Sequence, residues 1–261
     1  MKQPSTWPMD IRLMNATAAL LLWLGLALLL VSSLGWLMRL PAFGLRAITV
    51  EGDVQHHNAV TLRANVMPQL RGTFFTIDLQ HTRAVFEAMP WVRMAVVKRE
   101  FPNRLRVVLS EHQPVALWGD DAAQTLVNRQ GEVFEADADD QEIAALPRLK
   151  GPEGSSAQVL QMYGHLTPML QTMDMRIEVL ELSARGSWRL ETDSGARIEL
   201  GRGTQQDIGQ RLALLWRTVA QVASRYGRTP ASLEAADLRH TDGYALRLRG
   251  VSTIDNPKAK P

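Results

Sequence analysis

From Ala16 to Met38 the chain runs through Leu, Ala, Val, Trp and Gly without one charged residue, and the nearest charges are Arg12 and Arg39. At 1.5 Å rise per residue, about 20 apolar residues cross a hydrocarbon layer of roughly 30 Å. The pattern therefore predicts a membrane-spanning helix over residues 16–38, after a short tail at 1–15. Leu20–Val31 is apolar on every face, which argues against the alternative of a buried helix in a soluble domain. Trp36 lies near one end, where indoles favour the interface, and Trp23 lies deep. A cleaved signal peptide would carry a shorter apolar stretch followed by small residues, and Leu37-Met38-Arg39-Leu40-Pro41 has no such site. Lys2 and Arg12 precede the helix, and Arg39 and Arg46 follow it, so the positive-inside rule alone leaves its orientation open.

Beyond the short linker Pro41-Ala42-Phe43-Gly44 the periodicity changes. Arg46–Glu51 alternates as a strand, and Asn58–Leu70 has helical spacing. Asp78 is placed to cap a helix over Leu79–Met89, which Pro90 ends. Trp91–Glu100 and Arg104–His112 are strands joined by the turn Phe101-Pro102-Asn103. The order is β-α-α-β-β. After a joint at Gln113-Pro114, short strands are predicted at Val115–Trp118, Thr125–Asn128 and Glu132–Phe134, followed by an acidic loop, Asp137–Glu142. Helices are predicted at Ser155–Met173 and Gln206–Arg225. Further strands are predicted at Glu178–Ser183, Trp188–Thr192 and Arg197–Leu200, with a hairpin turn at Asp193-Ser194-Gly195. A last pair, Ala236–His240 and Tyr244–Arg249, folds around Asp242-Gly243, and the Pro/Lys-rich tail 251–261 is expected to be disordered.

Composition narrows the function. The chain has 261 residues, 46% apolar and 21% charged, with a net charge of +2, so it lacks the concentrated basic character of a nucleic-acid binder. It has no cysteine, which removes disulfides, thiolate metal sites and cysteine nucleophiles together. Gly201-Arg202-Gly203 lies between a strand and a helix, but the third glycine of a dinucleotide loop is replaced by Gln206 and no parallel β-α-β unit is expected around it, so it reads as a turn feeding a helix. His56 and His57 are adjacent with no further ligand at metal spacing. Asp137, Asp139 and Asp140 lack the glycine and closing glutamate of a calcium loop. No serine sits on a nucleophile elbow. Trp91, Trp118, Trp188 and Trp216 are scattered as core or domain-joint residues, and Phe74-Phe75 reads as core. No cofactor, metal, catalytic residue or small-molecule substrate is expected.

One further pattern names a family. Phe74-Phe75-x-x-Asp78-Leu79 is followed by Pro90-Trp91-Val92-Arg93-x-Ala95-x-Val97-Lys98-Arg99-x-Phe101-Pro102-x-x-Leu105. Then come Glu111-x-x-Pro114-Val115-Ala116-x-Trp118 and Leu126-Val127-x-x-x-Gly131-Glu132-Val133-Phe134, and later Leu200-Gly201-Arg202-Gly203 and Asp237-Leu238-Arg239. In order and spacing these words resemble the FtsQ/DivIB family of bacterial cell-division proteins over nearly the whole chain. The resemblance implies an α+β fold: a single N-terminal transmembrane helix, a POTRA domain (β-α-α-β-β) over 46–113, and a mostly antiparallel β domain with flanking helices over 114–250. It implies a cytoplasmic N-terminus, a periplasmic body, concentration at the division septum and no enzymatic activity. The implied partners are FtsB and FtsL, bound through the β domain, and other divisome members, with the POTRA domain linked to recruitment.

The family's FtsB-binding region corresponds to the last strands, where this chain has His240 after Arg239 in place of the tyrosine many relatives carry. The expected partner-binding residues are Arg239, His240, Asp242, Gly243, Tyr244, Ala245, Arg247, Leu248 and Arg249. Tyr244, Leu246 and Leu248 are expected to pack on the helix around Leu212–Val219, leaving Ala245, Arg247 and Arg249, with Arg239, exposed and basic. Two other functions fit the same layout less well. A membrane-anchored cell-wall enzyme needs a carboxylate pair or nucleophile set that the sequence does not display. A POTRA-bearing secretion or assembly factor leads into a long barrel, for which the remaining chain is short.

Overall fold

The computed structural model describes residues 9–38, 40, 43–52, 56, 65–120, 125–137, 143–240 and 243–251. They form two compact units divided between Glu111 and His112.

The first unit begins with α1 (Met9–Met38). Its stretch Leu13–Met38 has a mean hydropathy of 2.2 and none of it is buried against protein. Its 26 residues are about 39 Å long, enough to cross a bilayer. Then follow β1 (Ala47–Gly52), α2 (Leu79–Glu87), β2 (Val92–Glu100) and β3 (Arg104–Glu111). The sheet order is β1-β3-β2, with β1 parallel and β2 antiparallel to β3. A parallel pair needs a crossover, and the chain between β1 and β3, which includes α2 and β2, supplies it. Asp78 caps α2 as expected, accepting from the Gln80 and His81 backbone N–H groups at 2.8 and 3.1 Å. Leu105, Val107 and Leu109 are the buried positions of β3, the alternation the sequence shows, and Val107 and Leu109 share a core with Val85, Phe86 and Ala95. Most of the predicted helix Asn58–Leu70 lies outside the described residues; its end is helical at Asn65–Val66 and continues as a 3-10 turn at Met67–Gln69.

The second unit contains β4 (Pro114–Trp118), β5 (Thr125–Asn128), β6 (Val133–Glu135), β7 (Arg148–Lys150), α3 (Ser156–Gln171), β8 (Ile177–Leu182), β9 (Trp188–Thr192), β10 (Arg197–Gly201), α4 (Gln205–Ser224), β11 (Leu233–Asp237) and β12 (Ala245–Leu248). They make one sheet in the order β12-β11-β10-β9-β8-β7-β4-β5-β6. Most pairings are antiparallel, but β4–β7, β7–β8 and β10–β11 are parallel. The two helices are the crossovers, α3 between β7 and β8 and α4 between β10 and β11, and they pack against each other and the sheet. Val159, Leu166 and Leu170 of α3 meet Ile208, Leu212, Leu215 and Val219 of α4 over Leu180, Leu190 and Ile198, all fully buried. Burying each such side chain contributes about 1.5–3 kcal/mol, which holds the unit together without disulfides.

Three expectations are corrected here. First, β7 was not predicted: three residues carry no periodicity, and only Leu149 is buried, yet β7 joins the β4–β6 strands to the rest of the sheet. Second, Gly201-Arg202-Gly203 does lie in a parallel β-α-β unit, β10-α4-β11. The N-terminus of α4 is nonetheless closed by its own residues. Thr204 Oγ1 accepts from the Asp207 N–H, and Asp207 Oδ2 accepts from the Thr204 N–H at 2.9 Å. A carboxylate occupies the place where a phosphate would lie. Third, the penultimate strand is Leu233–Asp237 rather than Ala236–His240, and its partner strand begins at Ala245; Asp242 of the expected Asp242-Gly243 turn lies outside the described residues.

Candidate partner-binding edge

β12 is an edge strand. Asp237, Ala236 and Ala235 of β11 pair with Ala245, Leu246 and Arg247 on one side, and the other side is open among the described residues. Leu248 is buried, while Leu246 and Tyr244 are half-buried against the core, and the Tyr244 hydroxyl meets Thr218 Oγ1 of α4. The predicted facing therefore holds, with Ala245, Arg247 and Arg249 outward, although Tyr244 precedes the strand. Past Leu248 the chain turns: the Arg249 N–H donates to Ser232 O at 2.8 Å, and its guanidinium donates to Ser194 O. His240 is exposed, Gly243 is half-buried, and Asp242 lies outside the described residues.

The expected free basic set is only partly free. The Arg239 guanidinium grips Asp237, Nε to Oδ1 at 2.9 Å and Nη2 to Oδ2 at 2.6 Å. Arg247 Nε lies 3.5 Å from Glu234 Oε1. The Arg239 side chain, followed by the Arg239 backbone N–H, holds the Asp237 carboxyl down at about 2 against an ordinary 3.8, burial opposing. A carboxylate with a depressed folded pKa stabilises the fold above its unfolded pKa and loses that contribution as pH falls through the folded one. The Asp237–Arg239 clasp should hold above pH 4 and release between pH 4 and 2. Urea midpoints of wild type and Asp237→Asn should differ at neutral pH and converge at the acid end, by a modest amount because the pair is partly exposed.

Elsewhere along β8–β12 the exposed arginines are matched by carboxylates. Arg189 meets Glu199 and Glu181 at 2.6 and 3.5 Å, and Arg197 meets Glu191 at 3.6 Å. One end of the sheet breaks this pattern. β8, β10 and β11 run in the same direction, so the residues after their C-terminal ends converge. Arg185, Arg202 and Arg239 come together there, around a hollow of about 480 Å³ that Arg211 also lines. Arg211 donates to the Leu200 and Arg202 carbonyl oxygens at 2.9 and 2.7 Å. Arg185 and Arg202 are exposed and reach no carboxylate among the described residues. A second hollow of about 280 Å³ adjoins it and is lined by Leu214, Leu238, Arg239 and Tyr244, which brings it to the start of β12. Sequence reasoning missed Arg185 and Arg211. Arg185 is a lone basic residue in its turn and Arg211 one of two arginines on α4, and only the parallel strand directions and the packing of α4 juxtapose them with Arg202 and Arg239.

The other flagged residues are structural. His56 stacks on Trp91 with ring centroids 3.7 Å apart, and its Nδ1 lies 3.0 Å from Glu111 Oε2; His57 lies outside the described residues. Trp91 and Trp188 are buried, and Trp118 and Trp216 are partly buried against the core of the second unit. Of the acidic loop only Asp137 is described. Among the described residues no three His, Asp or Glu side chains could together hold a metal.

Among the described residues, an apolar helix of spanning length, a small three-stranded domain and a larger sheet domain with β12 at its edge define the class: an N-terminal apolar helix followed by a POTRA-type domain and a mixed sheet domain. The POTRA domain model of FtsQ type matches residues 43–112, and the model "Cell division protein FtsQ/DivIB, C-terminal" matches residues 116–239. The cell division protein FtsQ of Thiomonas arsenitoxydans is 42% identical over 95% of this chain and 91% of that protein. That of Burkholderia pseudomallei is 39% identical over 96% and 98%, and that of Bordetella pertussis 34% over 97% of each. The chain belongs to the FtsQ/DivIB family of cell division proteins and is a single-pass membrane protein.

Proposed function

We propose that the chain is a non-enzymatic scaffold of the divisome in the inner membrane. It links early and late division proteins by binding FtsB and FtsL and helps to control septal peptidoglycan synthesis. In this reading residues 1–15 are cytoplasmic, residues 16–38 of α1 cross the membrane, and the POTRA domain (46–113) and β domain (114–250) lie in the periplasm. The observation that carries it is the open side of β12 beside an uncompensated cluster of arginines. An FtsB segment adds to β12 as a further strand, with main-chain hydrogen bonds supplying affinity. Its acidic side chains meet Arg185, Arg202 and Arg211, which supply register and on-rate.

Titration of a soluble FtsB segment tests the reading. Successive N–H groups of a strand point to opposite sides. Of Ala245→Pro and Leu246→Pro, one therefore removes a donor from the open side and the other from the β11 side. The first should remain folded by circular dichroism and lose at least about tenfold in affinity. Wild-type affinity in both variants would place the site elsewhere.

A further inference from the structure

The first unit carries a surface that its POTRA fold does not require. Phe101, at the β2–β3 turn, is 81% exposed, and Phe75 is 42% exposed. Phe74, expected as core together with Phe75, is buried, and it links the two: its ring lies 5.2 Å from Phe75 and 6.3 Å from Phe101. Phe75 in turn sits 5.2 Å from Phe43. An exposed phenylalanine at a turn adds nothing to the core, and four phenylalanines in edge contact make a continuous apolar tip.

The tip lies at the membrane end of the sheet. β1 is parallel to β3 with Ala47 opposite Arg104, so the chain arriving from α1 enters the sheet beside the β2–β3 turn. The Arg46 N–H donates to Asn103 O at 3.0 Å, and the Phe74 N–H to Phe43 O at 2.8 Å. Thr73 Oγ1 donates to the carbonyl oxygen of Met38, the last residue of α1, at 2.7 Å. Arg46 and Arg104 lie beside the β2–β3 turn and Arg71 lies two residues before Thr73, all three exposed and without an ion pair among the described residues. Aromatic rings bordered by arginines, level with the end of a spanning helix, are the composition of a membrane interface: rings at the acyl boundary, guanidinium groups among the phosphates.

We propose that Phe101 and Phe75 insert into the interface of the leaflet next to the C-terminal end of α1, with the phospholipid bilayer as their partner. This surface rests on α1 being embedded in the membrane. The tip and α1 then form two points of attachment, which restrict how the POTRA domain can tilt on its anchor.

The absence of cysteine allows a direct test on the full chain. Single variants Phe101→Cys, Met94→Cys and Leu26→Cys carry a nitroxide in proteoliposomes of zwitterionic and anionic phospholipid. Collision with oxygen, which concentrates in lipid, is compared with collision with a water-soluble nickel chelate. Met94 is exposed near the opposite end of β2, and Leu26 lies within α1. The Phe101 label should favour oxygen over nickel several-fold more than the Met94 label does, and Leu26 should mark full immersion. Phe75→Asp in the labelled Phe101→Cys chain should return the ratio towards that at Met94. A Phe101 label as open to nickel as that at Met94, with Leu26 immersed, overturns the inference. Shielding of Phe101 from both colliders overturns it too, because protein then covers the tip. A Leu26 label open to nickel shows instead that the anchoring on which the inference rests has failed.

Discussion

Replacing Arg185 and Arg202 together by glutamate should weaken binding of an FtsB periplasmic segment by roughly 10- to 100-fold at low salt. Both side chains are exposed and make no ion pair among the described residues, so the fold loses nothing with them. Reversing the sign of two of the four charges around the 480 Å³ hollow turns attraction into repulsion for an acidic segment approaching β12. The Debye length is about 10 Å at 0.1 M salt and 3 Å at 1 M, so the deficit should shrink to a few-fold at the higher concentration. Most of it should appear in the association rate, as for charges at the rim of an interface. Titration calorimetry at several salt concentrations, with stopped-flow kinetics, checks this. The matched pair Arg197→Glu and Glu191→Arg is the control, since those residues already balance one another. A loss independent of salt, or equal in the control, would remove the arginine cluster from the proposed interface.

The largest stability effect is expected from Gly52→Ala in the first unit. Gly52 ends β1 with φ +111°, where a side chain is strained in any surroundings. A Cβ there would stand 2.1 Å from the carbonyl oxygen of Leu109 in β3. The neighbour is backbone in a paired strand, with Gly52 opposite Leu109, so neither can move aside without breaking the β1–β3 ladder. The strain and the clash together should cost about 3 kcal/mol or more. Thermal unfolding followed in the fragment that follows α1 should show a transition lowered by many degrees. Gly119→Ala, also at positive φ but with open space around its Cβ, should be much milder.

Local pattern and composition made a good part of the architecture readable. The spanning helix follows from an uncharged stretch apolar on every face. α2 follows from Asp78 and the stop at Pro90, and β3 follows from strict alternation of buried and exposed positions. The ordered motifs from Phe74 to Phe134 carry the resemblance to the family in the sequence itself. The misses share a cause. β11 lies three residues earlier than expected, because Asp242-Gly243 suggested a two-residue turn; its partner, the last strand, is the one expected, in a different register. β7 escaped notice because it gains its backbone partners from β4 and β8, both distant in sequence.

The candidate site divides in the same way. The sequence by itself determined a membrane anchor, two domains, their family and the identity of the last strand, because periodicity, capping and turn residues act over a few neighbours. Tertiary structure alone decided that Arg239 spends its charge on Asp237 and Arg247 lies against Glu234. It alone gathered Arg185, Arg202 and Arg211, because β8, β10 and β11 end on the same side of one sheet. It also moved Phe75 out of the core to join the turn residue Phe101 at a tip beside the end of α1. Which charges remain uncompensated, and which aromatic rings remain uncovered, depends on strand order and direction, and those are settled by contacts between segments tens of residues apart.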